Sequence, residues 1–269
     1  MPLRLTAAIL LLSLLFLALN FWPRLFLRTP AMLGFESPHF VVWAENMDRR
    51  EAIWVRTLLE DRGLDAAHWL GFPDQNGQRT QVFLYPDQSS FQIRRGGVLM
   101  LWRQRALYLV DHVGSAVVLT SPDHAGPFAE SSSVLSAALD EYIRSLVDRW
   151  AVRLPVWLSE GMVLRLSSGS RFDEDVQAGV PRLEELSDPD RASFEQGSGP
   201  RWADAYIAWL EMKFGKDKLL DLCRSGGDYQ AILGCNLASL YPQWIAWIRG
   251  GKPSDPRQLG GISALPDVP

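Results

Sequence analysis

Apolar residues fall into three regimes along the chain. From Leu5 to Trp22 they run as LTAAILLLSLLFLALNFW with no charged side chain, long enough for one helical crossing of a bilayer. From His39 to Thr120 short apolar runs are separated by turn residues. His39–Trp43, Gln81–Tyr85, Ala106–Val110 and Ala116–Thr120 read as strands, with Gly114 as the turn between the last two. Between the first two strands, Asp48–Leu70 places Ile53, Trp54, Leu58 and Leu59 at helical spacing, and Asp87 opens a short helical stretch around Phe91. After Pro127 the period is helical. Ser133–Ala151 carries a stripe of Leu135, Leu139, Tyr142, Leu146 and Trp150, and Pro155 opens a second helix reaching Leu166. Residues 168–199 are polar and rich in Gly, Pro and Asp, and read as a long loop. Further helices follow over Arg201–Phe214, Asp217–Cys223 and Leu237–Ile248.

These patterns predict an α+β fold: a small mixed sheet with helices, then a mainly helical half, with a transmembrane helix in front. The expected divisions are a signal-anchor over 1–28, a linker over 29–37, one domain over 38–250 and a disordered tail over 251–269. Within the domain the pattern changes near residue 127, between an α/β part (38–127) and a helical part (128–250). The strand Ala116–Thr120 is either plain core structure or an edge that an extended peptide can join.

The anchor follows from the flanks of the first apolar run. It ends in Leu-Asn-Phe-Trp-Pro, without the small residues of a signal-peptidase site, and no cysteine follows to carry a lipid. An uncleaved signal-anchor is the favoured reading and a cleaved signal peptide the alternative. Residues 5–22 are then the contact with the lipid bilayer. Arg4 precedes the run, and Arg24 and Arg28 follow it, so the charges alone leave orientation open. A formal net charge of −4 gives no basic surface for nucleic acid. The two cysteines, Cys223 and Cys235, are too few for a thiolate zinc site. They form either a disulfide between C-terminal helices or two free thiols.

The chemistry rests on two segments. The first is Leu139-Asp140-Glu141-Tyr142-Ile143-Arg144 on the long helix, and the second is Leu154-Pro155-Val156-Trp157-Leu158-Ser159-Glu160-Gly161 at the start of the next. Together, over about residues 38–249, the chain resembles the peptidase-MA-like branch of the gluzincin zinc metallopeptidases. There an HExxH helix precedes a second helix with a P-x-W-L-x-E-G pattern. In HExxH two histidines one turn apart bind Zn²⁺ and the intervening glutamate is the general base. The resemblance implies a thermolysin-like architecture, a globular domain on the periplasmic or extracytoplasmic side, and zinc as the family's metal. It puts Glu141 at the general-base position, Asp140 and Arg144 at the two histidine positions, Glu160 at the third ligand and Tyr206 beside the cleft.

The motif here reads DEYIR. A guanidinium has no lone pair to give a metal and stays protonated. Asp140 and Glu160 are one ligand short, so no zinc and no other cofactor is expected. The four histidines, His39, His68, His112 and His124, are not spaced to replace a motif residue, although His112 and His124 lie on strands or loops that can approach the cleft. Two readings of Arg144 remain. It either bridges Asp140 and Glu160 as a tethered cation in the metal's place, or belongs with Asp140 and Asp148 to a solvated helix face.

The function expected is therefore a catalytically inactive, membrane-anchored pseudopeptidase that binds, scaffolds or regulates, with a peptide or protein partner. The alternatives are a hydrolase with an altered metal or carboxylate site, for which Asp140, Glu141 and Glu160 supply the acids, and a purely structural tethered module.

Overall fold

The computed structural model describes residues 10–16, 26–45, 49–72, 79–96, 110–121, 131–150, 154–167, 179–187, 194 and 199–249. The expected strand residues 106–109, His124 and the tail 251–269 lie outside them. The chain divides into two compact units, Met1–Leu64 with Pro73–Tyr142, and Asp65–Phe72 with Ile143–Pro269. The division therefore falls inside the long helix at 142/143 rather than near residue 127, and the second unit also takes the end of the first helix.

The first unit holds a five-stranded mixed sheet in the order β1-β2-β3-β5-β4. Its strands are β1 (Met32–Glu36), β2 (Phe40–Glu45), β3 (Thr80–Tyr85), β4 (Val110–Val113) and β5 (Ala116–Thr120). The three central strands β2, β3 and β5 are parallel, in register through Val42↔Val82 and Val82↔Val117. Both faces of these strands are buried, as unbroken apolar runs such as Val117-Val118-Leu119 require. Helix α1 (Arg49–Leu58) packs on β2, and α3 (Gln88–Gly96) packs on β3 and β5. Met32, Phe83, Tyr85, Phe91 and Val118 form one core cluster. Elsewhere in the unit Phe40 meets the ring of Tyr142 edge-on, with centroids 5.1 Å apart.

β1 corrects the linker reading of 29–37. It runs antiparallel to β2, from Met32↔Glu45 to Glu36↔Val41. Only Met32 of the strand is buried, so no alternation betrays it. Gly34 admits the indole of Trp43: a Cβ there would come within 2.8 Å of the ring. Of the two readings of Ala116–Thr120, the core one holds: β5 is paired on both sides, with β3 and with β4, and the outer strand of the described sheet on that side is β4. Between α1 and α2 (Leu64–Trp69) the helix widens into a π-helical turn, Leu59–Gly63, where the Leu64 N–H donates to the Leu59 carbonyl.

The long helix α4 (Ser131–Val147) begins in the first unit and ends in the second. The second unit contains α5 (Val156–Ser167), α6 (Leu183–Ser187), α7 (Gly199–Phe214), α8 (Lys216–Arg224), α9 (Tyr229–Leu233) and α10 (Leu237–Arg249). α5 approaches α7 closely at Gly161, where an added Cβ would lie 2.6 Å from Ile207 and 2.7 Å from the Ala203 carbonyl oxygen. The tryptophans form much of this core. Trp157, Trp202 and Trp244 are fully buried, and Trp202 and Trp244 meet edge to face at 6.1 Å. Polar edges need partners once buried, and two of the three have one, while Trp244 Nε1 has none among the described residues. Trp157 Nε1 donates to the Glu185 carbonyl at 2.7 Å and Trp202 Nε1 to that of Gly179 at 3.1 Å. The Tyr241 hydroxyl donates to the Pro181 carbonyl at 3.1 Å. Three aromatic side chains thus tie down residues 179–187, within the stretch that reads as loop.

Residues 10–16 are helical and their leucines are exposed. Among the described residues no helix is long and apolar enough to cross a membrane; the rest of the expected span 5–22 lies outside them.

Candidate functional site

α4 buries Val134, Ala138, Leu139, Tyr142, Ile143, Leu146 and Val147, a stripe wide enough that the intervening charged residues are drawn toward the protein. Glu141 is 14% exposed and Arg144 11%, values that rule out a solvated face at these two positions. Asp140 is half-buried, while Asp148, beyond the helix end, is exposed.

In the second unit the Arg144 guanidinium forms an ion pair with Glu160 of α5, Nη1 donating to Oε1. The Glu160 side chain is 13% exposed, so both charges are largely withdrawn from water and each depends on the other. This is the Arg144–Glu160 arm of the tethered-cation reading. Asp140 lies one turn before Arg144 on the same helix. Arg144 and Glu160 do not suit zinc: one offers only donors, and the other is held against a fixed positive charge.

In the first unit Glu141 meets His112 of β4, Oε1 against Nδ1. Sequence spacing did not connect these residues. β4 pairs with β5 through His112↔Val117, and that pairing carries the imidazole to α4. The preceding residue, Asp111, accepts the His112 backbone N–H on Oδ1 at 2.9 Å and an ion pair from Arg95 of α3 on Oδ2. Donor atoms of Asp111, His112 and Glu141 all lie within 4.8 Å of one another. The signal that could have found them was the acid–imidazole pair Asp111-His112 on a strand, but only the sheet order brings it to Glu141.

The other expected residues lie elsewhere. Tyr206 belongs to the core of the second unit. It is fully buried on α7, and its hydroxyl donates to that of Tyr229 at 3.0 Å. Burial first, and then Tyr229, push its phenol well above the usual range. Cys223 and Cys235 are free thiols, so the disulfide alternative is not formed. Burial in α8 pushes the Cys223 thiol up to about 12, which leaves it unreactive. His39 faces Glu60 across 2.9 Å, and His68 is exposed.

No protein-family model matches the chain, and no curated protein matches it.

Proposed function

We propose that this chain is a membrane-anchored pseudopeptidase: a gluzincin-like domain, held outside the cytoplasm by residues 5–22, that binds or scaffolds a peptide or protein and does not hydrolyse it. The observation that carries this reading is the Arg144–Glu160 ion pair. By the resemblance, residue 144 corresponds to a metal-binding histidine and Glu160 to the third ligand, so a permanent cation paired with that carboxylate supports a site without metal. Support also comes from the order of elements, a mixed sheet followed by the motif helix α4 and then the helix bearing Trp157-Leu158-Ser159-Glu160-Gly161. A hydrolase with altered chemistry is the second reading, favoured by one contact, that of Glu141 with His112, since a carboxylate can orient an imidazole for proton transfer.

The test uses the full-length chain in a non-ionic detergent with added Zn²⁺ and a fluorescent protein substrate. No cleavage above the blank is expected. Asp140→His together with Arg144→His should take up one zinc ion more than the unaltered chain, and Glu160→Gln should then remove that added ion. Cleavage by the unaltered chain, abolished by Glu160→Gln or Glu141→Gln, would overturn the reading.

A further inference from the structure

We propose that Asp111, His112 and Glu141 form a site for a divalent transition-metal cation of the zinc class, within the first unit and separate from the Arg144–Glu160 pair. One imidazole nitrogen and two carboxylates are a donor set suited to such borderline ions. The donor atoms converge within 4.8 Å, although neighbours on a strand send their side chains to opposite faces. The reason is visible at Asp111. Its carboxylate folds back along β4 to accept the His112 N–H at 2.9 Å, and that turn places it near the imidazole.

Asp111 and Glu141 bring two carboxylates to the imidazole, and Arg95 meets Asp111 on Oδ2. Each carboxylate oxygen has two lone pairs, and Arg95 and the backbone N–H can keep theirs while orienting Asp111 from behind, as outer groups do around metal ligands. The cation would take the place of the proton between His112 Nδ1 and Glu141. Donors around zinc sit about 3.4 Å apart, as tetrahedral bonds near 2.1 Å require, so Glu141 would swing back from His112, which its flexible side chain allows. Three protein ligands leave one position for water or for an oxygen of a bound partner. The ion would join the outer strand β4 to α4.

The experiment is equilibrium dialysis of the full-length chain in non-ionic detergent against Zn²⁺, with Co²⁺ absorption as the spectroscopic probe. One ion per chain is expected, with Co²⁺ bands of low-coordinate intensity. His112→Ala, Asp111→Asn and Glu141→Gln should each weaken binding by about tenfold or more, with circular dichroism unchanged. His68→Ala, at an exposed position, should leave it unchanged. Absence of uptake, or uptake insensitive to both His112→Ala and Glu141→Gln, would overturn the site and leave the pseudopeptidase reading standing. Uptake lost in Glu160→Gln alone would overturn both.

Discussion

Single residues in this protein read differently once their partners are known. Arg144 on pattern alone leans towards a solvated helix face; its exposure of 11% and its contact with Glu160 make it a largely buried ion-pair partner instead. Glu60 is a quieter case. It sits in the π-helical turn and accepts the His39 backbone N–H at 2.9 Å, with the His39 ring at the same distance. Burial alone would raise its carboxyl, but hydrogen bonds from Ser37 and His39, with the charge of His39, outweigh it and hold the group below 4.5. A depressed carboxyl contributes stability above its unfolded value, and that contribution is lost as pH falls through the folded one. Glu60→Gln should therefore lower stability by about 1 kcal/mol near neutral pH, and the gap should close as pH falls through the depressed carboxyl. Thermal melts of both proteins across pH 3 to 7, roughly the carboxylate range, check this; a gap that persists at the acid end would mean Glu60 acts through packing.

At the scale of elements, the parallel strands and the long helices were legible because their periodicity is local. β2, β3 and β5 lie where the apolar runs lie, and α4, α5 and α7 start and stop within a few residues of their expected ends. β1 was not legible, since an outer strand with one buried side chain is specified by the partner's backbone. Nor was α9, five residues whose N-cap is Asp228 accepting from the Ala231 N–H. The α5–α7 contact yields a prediction. Alanine ordinarily favours a helix over glycine by about 1 kcal/mol, but at residue 161 its Cβ would lie 2.7 Å from a backbone oxygen of α7. Gly161→Ala should lower stability by a net of about 1–2 kcal/mol through overpacking, seen as a lower urea midpoint at unchanged slope. A variant as stable as the parent would show that the helices can part without cost.

For the whole molecule, the expected anchor has a direct test. The full chain should remain in the membrane fraction after carbonate extraction, and a chain lacking residues 1–25 should be released. Release of the full chain would remove residues 5–22 as a bilayer span. The sequence by itself determined the α+β class, the uncharged apolar run at the start and a side chain at position 144 that cannot ligate a metal, because each is written in neighbouring residues or in the chemistry of one side chain. Only the tertiary structure decided that Arg144 meets Glu160, that β5 is interior, that Tyr206 is core and that His112 reaches Glu141. Those contacts join residues 16 to 29 positions apart, or depend on strand order, and a separation of that kind is fixed by packing and sheet pairing rather than by local pattern.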